Sequence, residues 1–207
     1  MMKSAPRANS KGVKAHKENQ EITFYRANEK PYGAFSNLYR RPILFEDRIF
    51  PTAEHAYQFG KARKSAVRDW LLSAPSPSLV AMAAHGLYTW DIVPNWSKVK
   101  FDRMRLVLHA KFSQHEDLRQ LLLSTGDARL VEVGRVNNIV NRTWGEVGGK
   151  GQNMLGVLLM ELRSQFCKKQ AEEKKRSTKA DRRSHSIRVT NTALTKSWPR
   201  RAAVPLA

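Results

Sequence analysis

The chain has 207 residues, of which 41% are hydrophobic, so it is long enough to bury one core of ordinary size. Its single cysteine, Cys167, excludes an internal disulfide, and no apolar run reaches the ~18–20 residues that a membrane span requires. The formal net charge of +19 at pH 7 favours phosphate-bearing partners. We therefore expect an intracellular protein that makes no membrane contact. A cytoplasmic location is expected, and the basic charge leaves a nuclear one open.

The positive charge is concentrated at the two ends of the chain. Residues 1–21 and 168–207 together hold 17 Lys and Arg against 5 Asp and Glu, so they account for +12 of the net charge. Both segments are poor in large apolar side chains and are predicted to be disordered basic tails around a domain at residues 22–167. Such a tail can bind nucleic acid, anionic lipid or a ribosome surface without sequence preference, or it can simply be solvated, and the sequence leaves these alternatives open.

The first half of the domain is predicted to contain short strands followed by helices. A strand is predicted over Ile22–Tyr25, a loop over Asn28–Leu38, and a hairpin of Pro42–Phe45 with Arg48–Phe50. Helices are predicted from Pro51 onwards, over Ser65–Leu72 and over Leu79–His85, with a connection at residues 87–94 whose Trp90 packs on the core. The loop is rich in Gly, Ser and Asn and could line a pocket.

The helix that begins at Pro51 and Thr52 carries a candidate catalytic group. A proline suits the start of a helix, and a threonine hydroxyl can cap a free backbone N–H. Helical spacing places Glu54, Gln58 and Lys61 on one polar stripe. A carboxylate in a first turn also has an ordinary explanation, because it interacts with the helix dipole by ~0.3–1 kcal/mol. A catalytic role for Glu54 therefore requires partners from elsewhere in the chain.

The segment Trp96–Phe112 is predicted to be a long amphipathic helix with three cations that break its pattern. Lys100 and Lys111 fall within the apolar arc, and Arg103 lies nearer its edge. Burying a charge without a partner is expensive, so each cation must reach water or a polar cavity. We expect Arg103 and Lys111 to reach solvent with their long stems, whereas Lys100 could face either solvent or a polar cavity.

The rest of the domain is predicted to end in a helix that packs on the core. The elements are a helix over Glu116–Ser124, a strand over Ala128–Val133, an irregular stretch over Gly134–Gly151 and a helix over Met154–Phe166. Glycines in the irregular stretch could let the backbone approach a phosphate, but no P-loop or dinucleotide motif accompanies them. The histidines lack metal-ligand spacing, so no metal and no cofactor are predicted. The fold class is α+β, a single compact and mostly helical domain with a few short strands.

Six short motifs occur in order along the domain. They are Tyr32-Gly33-x-Phe35-Ser36-Asn37, Pro51-Thr52-x-Glu54-His55-x-Tyr57-Gln58, Asn95-Trp96-x-x-Val99-Lys100 with Ala110-Lys111-Phe112, Leu130-Val131-Glu132, Trp144-Gly145, and Gly151-x-Asn153-x-Leu155-Gly156. Taken together, the motifs resemble the NADAR family. The resemblance implies a mostly helical α+β fold and hydrolysis of N-glycosidic bonds. Some members act on phosphorylated ribosylamino intermediates of riboflavin synthesis, and others resemble ADP-ribosyl hydrolases that restore guanine in nucleic acid.

The resemblance also implies a set of site residues. By position, Glu54 is the implied catalytic acid/base, and Lys100 is a candidate active-site lysine. The implied substrate-binding residues are Tyr32, Gly33, Phe35, Ser36, Asn37, Gln58, Trp96, Asn141, Trp144 and Asn153. The chemistry agrees, because breaking a ribosyl C–N bond develops positive charge at C1, which a carboxylate stabilises. Lys100 is either a covalent nucleophile that forms an imine at C1 or a cation that binds a phosphate.

Three positions depart from the family pattern. Asn141 stands where an acidic residue is common, Leu87 where an arginine is common, and Val93 where a basic residue is common. Such changes could alter the substrate or remove activity. The predicted function is an N-glycosidase that acts on a phosphorylated ribose carrying a base-like leaving group. The alternatives are an ADP-ribosyl hydrolase that acts on guanine in nucleic acid and a nonenzymatic nucleotide- or nucleic-acid-binding module.

Overall fold

Four short strands and seven α-helices make up the part of the chain that the structure describes. The computed structural model describes residues 20–195, with side chains for residues 20–178. The strands are β1 (Glu21–Phe24), β2 (Ile43–Phe45), β3 (Arg48–Phe50) and β4 (Arg129–Glu132). The helices are α1 (Ala53–Lys61), α2 (Ser65–Leu72), α3 (Pro77–His85), α4 (Trp96–Gln114), α5 (Glu116–Ser124), α6 (Ile139–Trp144) and α7 (Met154–Thr195), with 3-10 turns at Tyr32–Phe35 and Thr89–Asp91. The α+β class is therefore confirmed.

The strands form two separate sheets. β2 and β3 make the predicted hairpin, in which Glu46 and Asp47 both adopt positive φ, as a two-residue turn between twisted strands requires. β1 pairs in parallel with β4, and the register joins Phe24 to Glu132 at the carboxyl end of both strands. This pairing brings the beginning of the domain against a segment near its end.

The main hydrophobic core lies between the β1–β4 sheet and helices α4, α5 and α7. Phe35, from the first 3-10 turn, is fully buried there, with its ring centroid 5.7 Å from that of Phe24 and 6.2 Å from that of Phe112. Burying one such side chain stabilises the fold by ~1.5–3 kcal/mol. The core therefore fixes the 3-10 turn and the residues that follow it, Ser36 and Asn37.

Side-chain caps begin two helices where the sequence predicts them. Thr52 Oγ1 accepts a hydrogen bond from the backbone N–H of His55 at 3.3 Å, and Ser76 Oγ accepts one from Leu79 at 3.2 Å. Each cap satisfies an otherwise free N–H group and contributes ~1 kcal/mol. The Thr52 cap fixes the first turn of α1, in which Glu54 lies.

The buried position of Lys111 corrects the prediction that its side chain reaches solvent. Lys111 has no exposed surface, and its Nζ donates to the carbonyl oxygens of Ala34 at 2.6 Å and Ser36 at 2.9 Å. Arg103 reaches the surface only at Glu46, while its guanidinium also donates to the carbonyl of Ala56 at 2.7 Å. Both cations stay in the fold because backbone carbonyls satisfy their N–H groups.

Three local predictions are wrong. α7 continues past Phe166, where the last helix was predicted to end, to Thr195, because Lys, Arg and Glu are good helix formers. Trp90 is 60% exposed and stacks on Tyr88 instead of packing on the core. The stretch predicted to be irregular contains α6, whose start is capped by Asn138.

Residues 1–19 and 196–207 lie outside the described residues, so their predicted disorder stays a prediction. No helix in the described part of the chain has the length and hydropathy to cross a bilayer.

Candidate active site

A cavity of about 180 Å³ lies where the carboxyl end of the β1–β4 sheet meets helices α1, α3, α4, α6 and α7. Its polar lining comprises the carboxyl groups of Glu54 and Glu132, the amides of Asn37, Gln58 and Asn141, Ser36 and His85. Larger grooves of about 670 and 690 Å³ lie elsewhere on the surface, but no carboxylate lines either one. Because polar groups converge within a partly apolar wall, this cavity has the usual form of a ligand site.

Glu54 lies in the first turn of α1 and is 8% exposed. Its backbone N–H donates to the carbonyl of Asn37 at 3.1 Å, which ties α1 to the loop after the 3-10 turn. Its Oε1 accepts a hydrogen bond from Gln58 Nε2 at 2.7 Å. Burial raises the pKa of Glu54 to about 7, against smaller lowering effects of the Gln58 hydrogen bond and the Lys61 charge. Near neutral pH the group can therefore either donate or accept a proton.

Glu132 places a second carboxyl group in the same cavity. It is the last residue of β4, where its backbone N–H donates to Asn153 Oδ1 at 3.1 Å. Burial, and then the charge of Glu54, raise the pKa of Glu132 to about 7. Glu132 belongs to one of the sequence motifs, but no role at the site was predicted for it. An acidic residue that ends an apolar strand was the available signal, but its meaning depends on the parallel pairing with β1.

Two amide oxygens in the cavity, Asn37 Oδ1 and Gln58 Oε1, have no hydrogen-bond partner among the described residues. The Nδ2 of Asn37 donates only to the Sδ atom of Met104 at 3.1 Å, and a thioether is a weak acceptor. An unsatisfied buried polar atom costs ~1–3 kcal/mol. A ligand with hydroxyl donors, such as a sugar, would satisfy both oxygens beside Glu54.

Lys111 supports this arrangement from behind the cavity wall. Its Nζ holds the carbonyls of Ala34 and Ser36, and Ser36 and Asn37 line the cavity. Burial lowers the pKa of Lys111 to about 7. No role at the site was predicted for Lys111, because helical periodicity identifies a buried face but not the hydrogen-bond acceptors that this face meets.

Aromatic rings form another part of the wall. The ring of Trp144 meets that of Tyr57 edge to face, with 5.5 Å between centroids, and both residues line the cavity. Trp96 packs on Tyr57 at 5.2 Å but does not itself line the cavity. Burial raises the pKa of Tyr57, so its hydroxyl stays neutral at physiological pH. A half-buried indole ring that lines the same cavity as Glu54 and Glu132 suits a flat leaving base.

Half of the predicted site residues line the cavity: Glu54, Ser36, Asn37, Gln58, Asn141 and Trp144. Three others build its supporting structure instead. Phe35 is a core residue, and Gly33 permits a close approach, because a Cβ there would lie 2.6 Å from the carbonyl oxygen of Ala27. Asn153 joins α7 to β4 by donating from Nδ2 to the carbonyl of Leu130 at 2.8 Å. Tyr32 also lies outside the cavity, where its ring stacks on that of Phe35.

Lys100 does not line the cavity in this structure. Its Nζ lies 4.8 Å from the ring centroid of Phe101, and that ring contacts Trp144 at 5.4 Å. Lys100 is one helical turn from both Trp96 and Met104, so its Cα shares their helix face. Contact with a substrate in the cavity would therefore require the side chain to rotate away from Phe101.

A model of the NADAR domain matches residues 23–167, which include every residue that lines the cavity. The chain belongs to the NADAR family. Among its relatives, the N-glycosidase YbiA of Escherichia coli (strain K12) is 41% identical over 147 residues, which cover 70% of this chain and 88% of YbiA. The N-glycosidase Npun_R5314 of Nostoc punctiforme is 35% identical over 149 residues, 70% of this chain and 92% of that protein.

The riboflavin biosynthesis protein VVA0006 of Vibrio vulnificus is similar to this chain over less than half of its own length. It is 29% identical over 155 residues, which cover 74% of this chain and 41% of that protein. The NMR structure of the E. coli protein YbiA matches this fold with a TM-score of 0.66 at 39% identity, and the match covers 74% of this chain and 89% of that one.

The positions at which this NADAR domain departs from the family pattern have different surroundings. Asn141 lines the cavity, where its Nδ2 donates to the carbonyl of Val136 at 2.8 Å. Leu87 packs against a separate apolar cluster around Leu71. Of the residues that depart from the family pattern, only Asn141 therefore changes the chemistry of the cavity wall.

One glycine of the Gly134–Gly151 stretch lies where two backbone segments approach each other closely. A Cβ on Gly145 would lie 2.2 Å from the carbonyl oxygen of Glu132, so this glycine permits two segments of the chain to approach. No group of three or more His, Cys, Asp or Glu side chains within the described residues could hold a metal ion.

Proposed function

We propose that the chain is an N-glycosidase that hydrolyses the C–N bond between a phosphorylated ribose and a base-like leaving group. The observation that carries the proposal is the position of Glu54, a buried carboxyl group with a pKa of about 7 beside two unsatisfied amide oxygens. Relatives named N-glycosidases at 41% and 35% identity support the same reaction class. The protein is a hydrolase that acts on N-glycosyl bonds.

In the proposed mechanism, each step of hydrolysis is carried out by a group that lines the cavity. The protonated carboxyl group of Glu54 donates its proton to the leaving nitrogen, which keeps the electron pair of the broken C–N bond. The resulting carboxylate stabilises the positive charge at C1 and then accepts a proton from the water whose oxygen bonds to C1. Asn37 Oδ1 and Gln58 Oε1 accept hydrogen bonds from ribose hydroxyls and so hold C1 beside the carboxylate.

Lys100 is proposed as an assisting group that acts after its side chain has rotated. Its place on the helix face between Trp96 and Met104 supports this role, although its Nζ rests on Phe101 in the structure. The two roles are a nucleophile that forms an imine at C1 and a cation that binds the phosphate. Borohydride added during turnover would reduce an imine to a stable adduct, and mass spectrometry of peptides would locate it. Absence of an adduct on Lys100 would exclude the covalent role.

The proposed substrate is a phosphorylated ribosylamino intermediate of riboflavin biosynthesis. The likeness to a riboflavin biosynthesis protein over 74% of this chain supports that choice. Such an intermediate has hydroxyl donors for Asn37 and Gln58 and a flat leaving group for Trp144. Each of these three residues lines the cavity.

An ADP-ribosylated guanine in nucleic acid is the second candidate substrate. A groove of about 690 Å³ shares Leu38 with the cavity and is lined by Tyr25, Arg26, Tyr39 and Arg40. Arginines bind phosphates and tyrosines stack on bases, so the groove suits a substrate that extends beyond one ribose. The net charge of +19 favours the same kind of partner. A nonenzymatic binding module has no comparable support, because the relatives at 41% and 35% identity are named N-glycosidases.

Product analysis by mass spectrometry tests the proposal and separates the two substrates. The full chain is incubated with a ribosylamino-pyrimidine phosphate and, separately, with an oligonucleotide that carries ADP-ribosylated guanine. Release of ribose phosphate and the pyrimidine product is expected. Cleavage of the oligonucleotide alone would favour the second candidate, and cleavage of neither would contradict the N-glycosidase proposal.

A further inference from the structure

We propose that Glu132 is a second catalytic carboxyl group that shares a single proton with Glu54, so that the pair supplies the acid and the base of one hydrolytic step. The inference rests on the proposed function, in which Glu54 acts at C1. Both side chains line one cavity of about 180 Å³, and they reach it from different elements, α1 and β4. Because the cavity is this small, a ligand that fills it would lie beside both residues.

The backbone of Glu132 is fixed on several sides. The residue pairs with Phe24 across the β1–β4 sheet, its N–H donates to Asn153 Oδ1 at 3.1 Å, and its carbonyl accepts from the N–H of Glu146 at 2.8 Å. Gly145 lacks a Cβ where one would lie 2.2 Å from the Glu132 carbonyl oxygen. These contacts hold the Cα of Glu132 at the cavity edge and so preorganise its side chain.

The carboxyl group of Glu132, in contrast, has no ion-pair partner among the described residues. Each salt bridge of the described chain involves other acids, as for Glu146 with Arg129 and Glu161 with Arg105. A partly buried acid that serves only the fold is normally neutralised by a cation or by donors. An acid with a fixed backbone and an unneutralised head in a cavity has the features of a reacting group.

The charged and titratable groups around the pair offset its negative charge only weakly. α1 contributes Lys61 and Tyr57, and α3 contributes His85, whose pKa is lowered by burial and by the charge of Lys61. Lys61 donates to the carbonyl of Ala84 and has a smaller effect on Glu54 than burial does. The groups that α4, α6 and α7 contribute to the cavity are uncharged: Met104, Val140, Asn141, Trp144 and Leu155. The pair is therefore expected to hold one proton near pH 7.

A shared proton divides the chemistry between the two groups. The protonated member gives its proton to the leaving nitrogen as the C–N bond breaks and its electron pair stays on nitrogen. The ionised member stabilises the charge at C1 and takes a proton from the water that attacks there. The pair loses one proton to the leaving nitrogen and gains one from water. It therefore ends with a single proton on the other carboxyl group, and no further reactant is needed.

Titration of Glu54 in the full-length protein tests the sharing without any substrate. The carboxyl carbons are labelled with ¹³C, and the Glu54 signal is followed by NMR from pH 4 to 9 in the wild type, Glu132→Gln and Glu161→Gln. Glu161 is an exposed glutamate on α7 and serves as the matched control. We expect the apparent pKa of Glu54 to fall by about one unit in Glu132→Gln, because the neighbouring charge is lost. In the Glu161→Gln control, the apparent pKa of Glu54 should equal that of the wild type. An unchanged Glu54 titration in Glu132→Gln would overturn the proposal.

Kinetics test the catalytic role. The wild type is expected to show a bell-shaped dependence of kcat on pH, whereas the pH profile of Glu132→Gln should keep only one limb of the bell. Its kcat should be about 100-fold lower than that of the wild type, with a KM within about threefold of the wild-type value. Glu132→Asp keeps the charge and should keep the bell shape at a lower kcat. If Glu132→Gln keeps full activity while Glu54→Gln loses it, the proposal is overturned and the proposed function stands. If the wild type cleaves no substrate, the proposed function itself fails, and the catalytic role of Glu132 fails with it.

Discussion

Replacing Lys111 by methionine removes a buried charge whose effect on stability depends on pH. Burial lowers the pKa of Lys111 from 10.5 to about 7 in the folded chain. Below pH 7 the ammonium group of Lys111 is charged in both the folded and the unfolded chain. Between about pH 7 and 10.5 the unfolded chain holds a proton that the folded chain has released. Because the unfolded state then binds more protons, the free energy of unfolding rises with pH across this window.

The size of the effect follows from the difference between the two pKa values. At about 1.4 kcal/mol per unit, the buried charge lowers stability by about 5 kcal/mol at acid pH, and roughly 2 kcal/mol of this is recovered between pH 7 and 9. The methionine variant lacks this dependence. It also leaves the carbonyls of Ala34 and Ser36 without their donor, which costs ~1–3 kcal/mol for each. The variant is therefore expected to be least stable, relative to the wild type, at alkaline pH.

Urea unfolding followed by tryptophan fluorescence measures the difference directly. The stability of the wild type minus that of Lys111→Met should increase by roughly 2 kcal/mol from pH 7 to pH 9. Both proteins carry Glu54 and Glu132, so the effects of those groups cancel. Lys98→Met, which changes an exposed lysine on the same helix, is the matched control and should show no such increase. A difference between wild type and Lys111→Met that stays constant from pH 7 to 9 would refute the reasoning.

Three further predictions concern the cavity and the tail. Asn37→Ala removes an acceptor for a ribose hydroxyl and should raise KM about tenfold with a smaller change in kcat; an unchanged KM would contradict that contact. Gly145→Ala places a methyl group 2.2 Å from the Glu132 carbonyl oxygen and should lower the free energy of unfolding by ~1–3 kcal/mol, as measured by thermal unfolding. Gly86→Ala is the control and should not lower it, because the nearest atom to its methyl group would be 3.5 Å away. Removal of residues 168–207 should leave kcat unchanged, since the lining residues lie within the matched domain. A large loss of kcat would show that the tail takes part in the reaction.

The elements that could be predicted are those whose determinants are local in sequence. The hairpin followed from two short apolar runs on either side of Glu46 and Asp47, and α1 followed from Pro51 and the Thr52 cap, so the approximate position of Glu54 could be predicted from the sequence. The residues that line the cavity beside Glu54 were harder to predict from the sequence. Glu132 reaches Glu54 only because β4 pairs in parallel with β1, and a single strand does not indicate its partner.

Lys111 and Lys100 show where periodicity misleads. Both lie on the apolar arc of α4, and Lys111 was expected to reach water although its position indicated burial. Its acceptors are carbonyls 77 and 75 residues away, which no helical pattern reveals. Motifs likewise do not separate residues that contact the cavity from those that build its walls. Phe35 shares a motif with Asn37, and Asn153 shares one with Leu155, yet Phe35 and Asn153 serve packing and backbone hydrogen bonds.

The rate of base release by Glu54→Gln tests the central claim most directly. The glutamine keeps the size of the side chain and removes only its ability to exchange a proton near pH 7. The account predicts that release of ribose phosphate, followed by mass spectrometry, falls at least about 100-fold while the thermal midpoint stays close to that of the wild type. Release at the wild-type rate from a folded Glu54→Gln protein would contradict it.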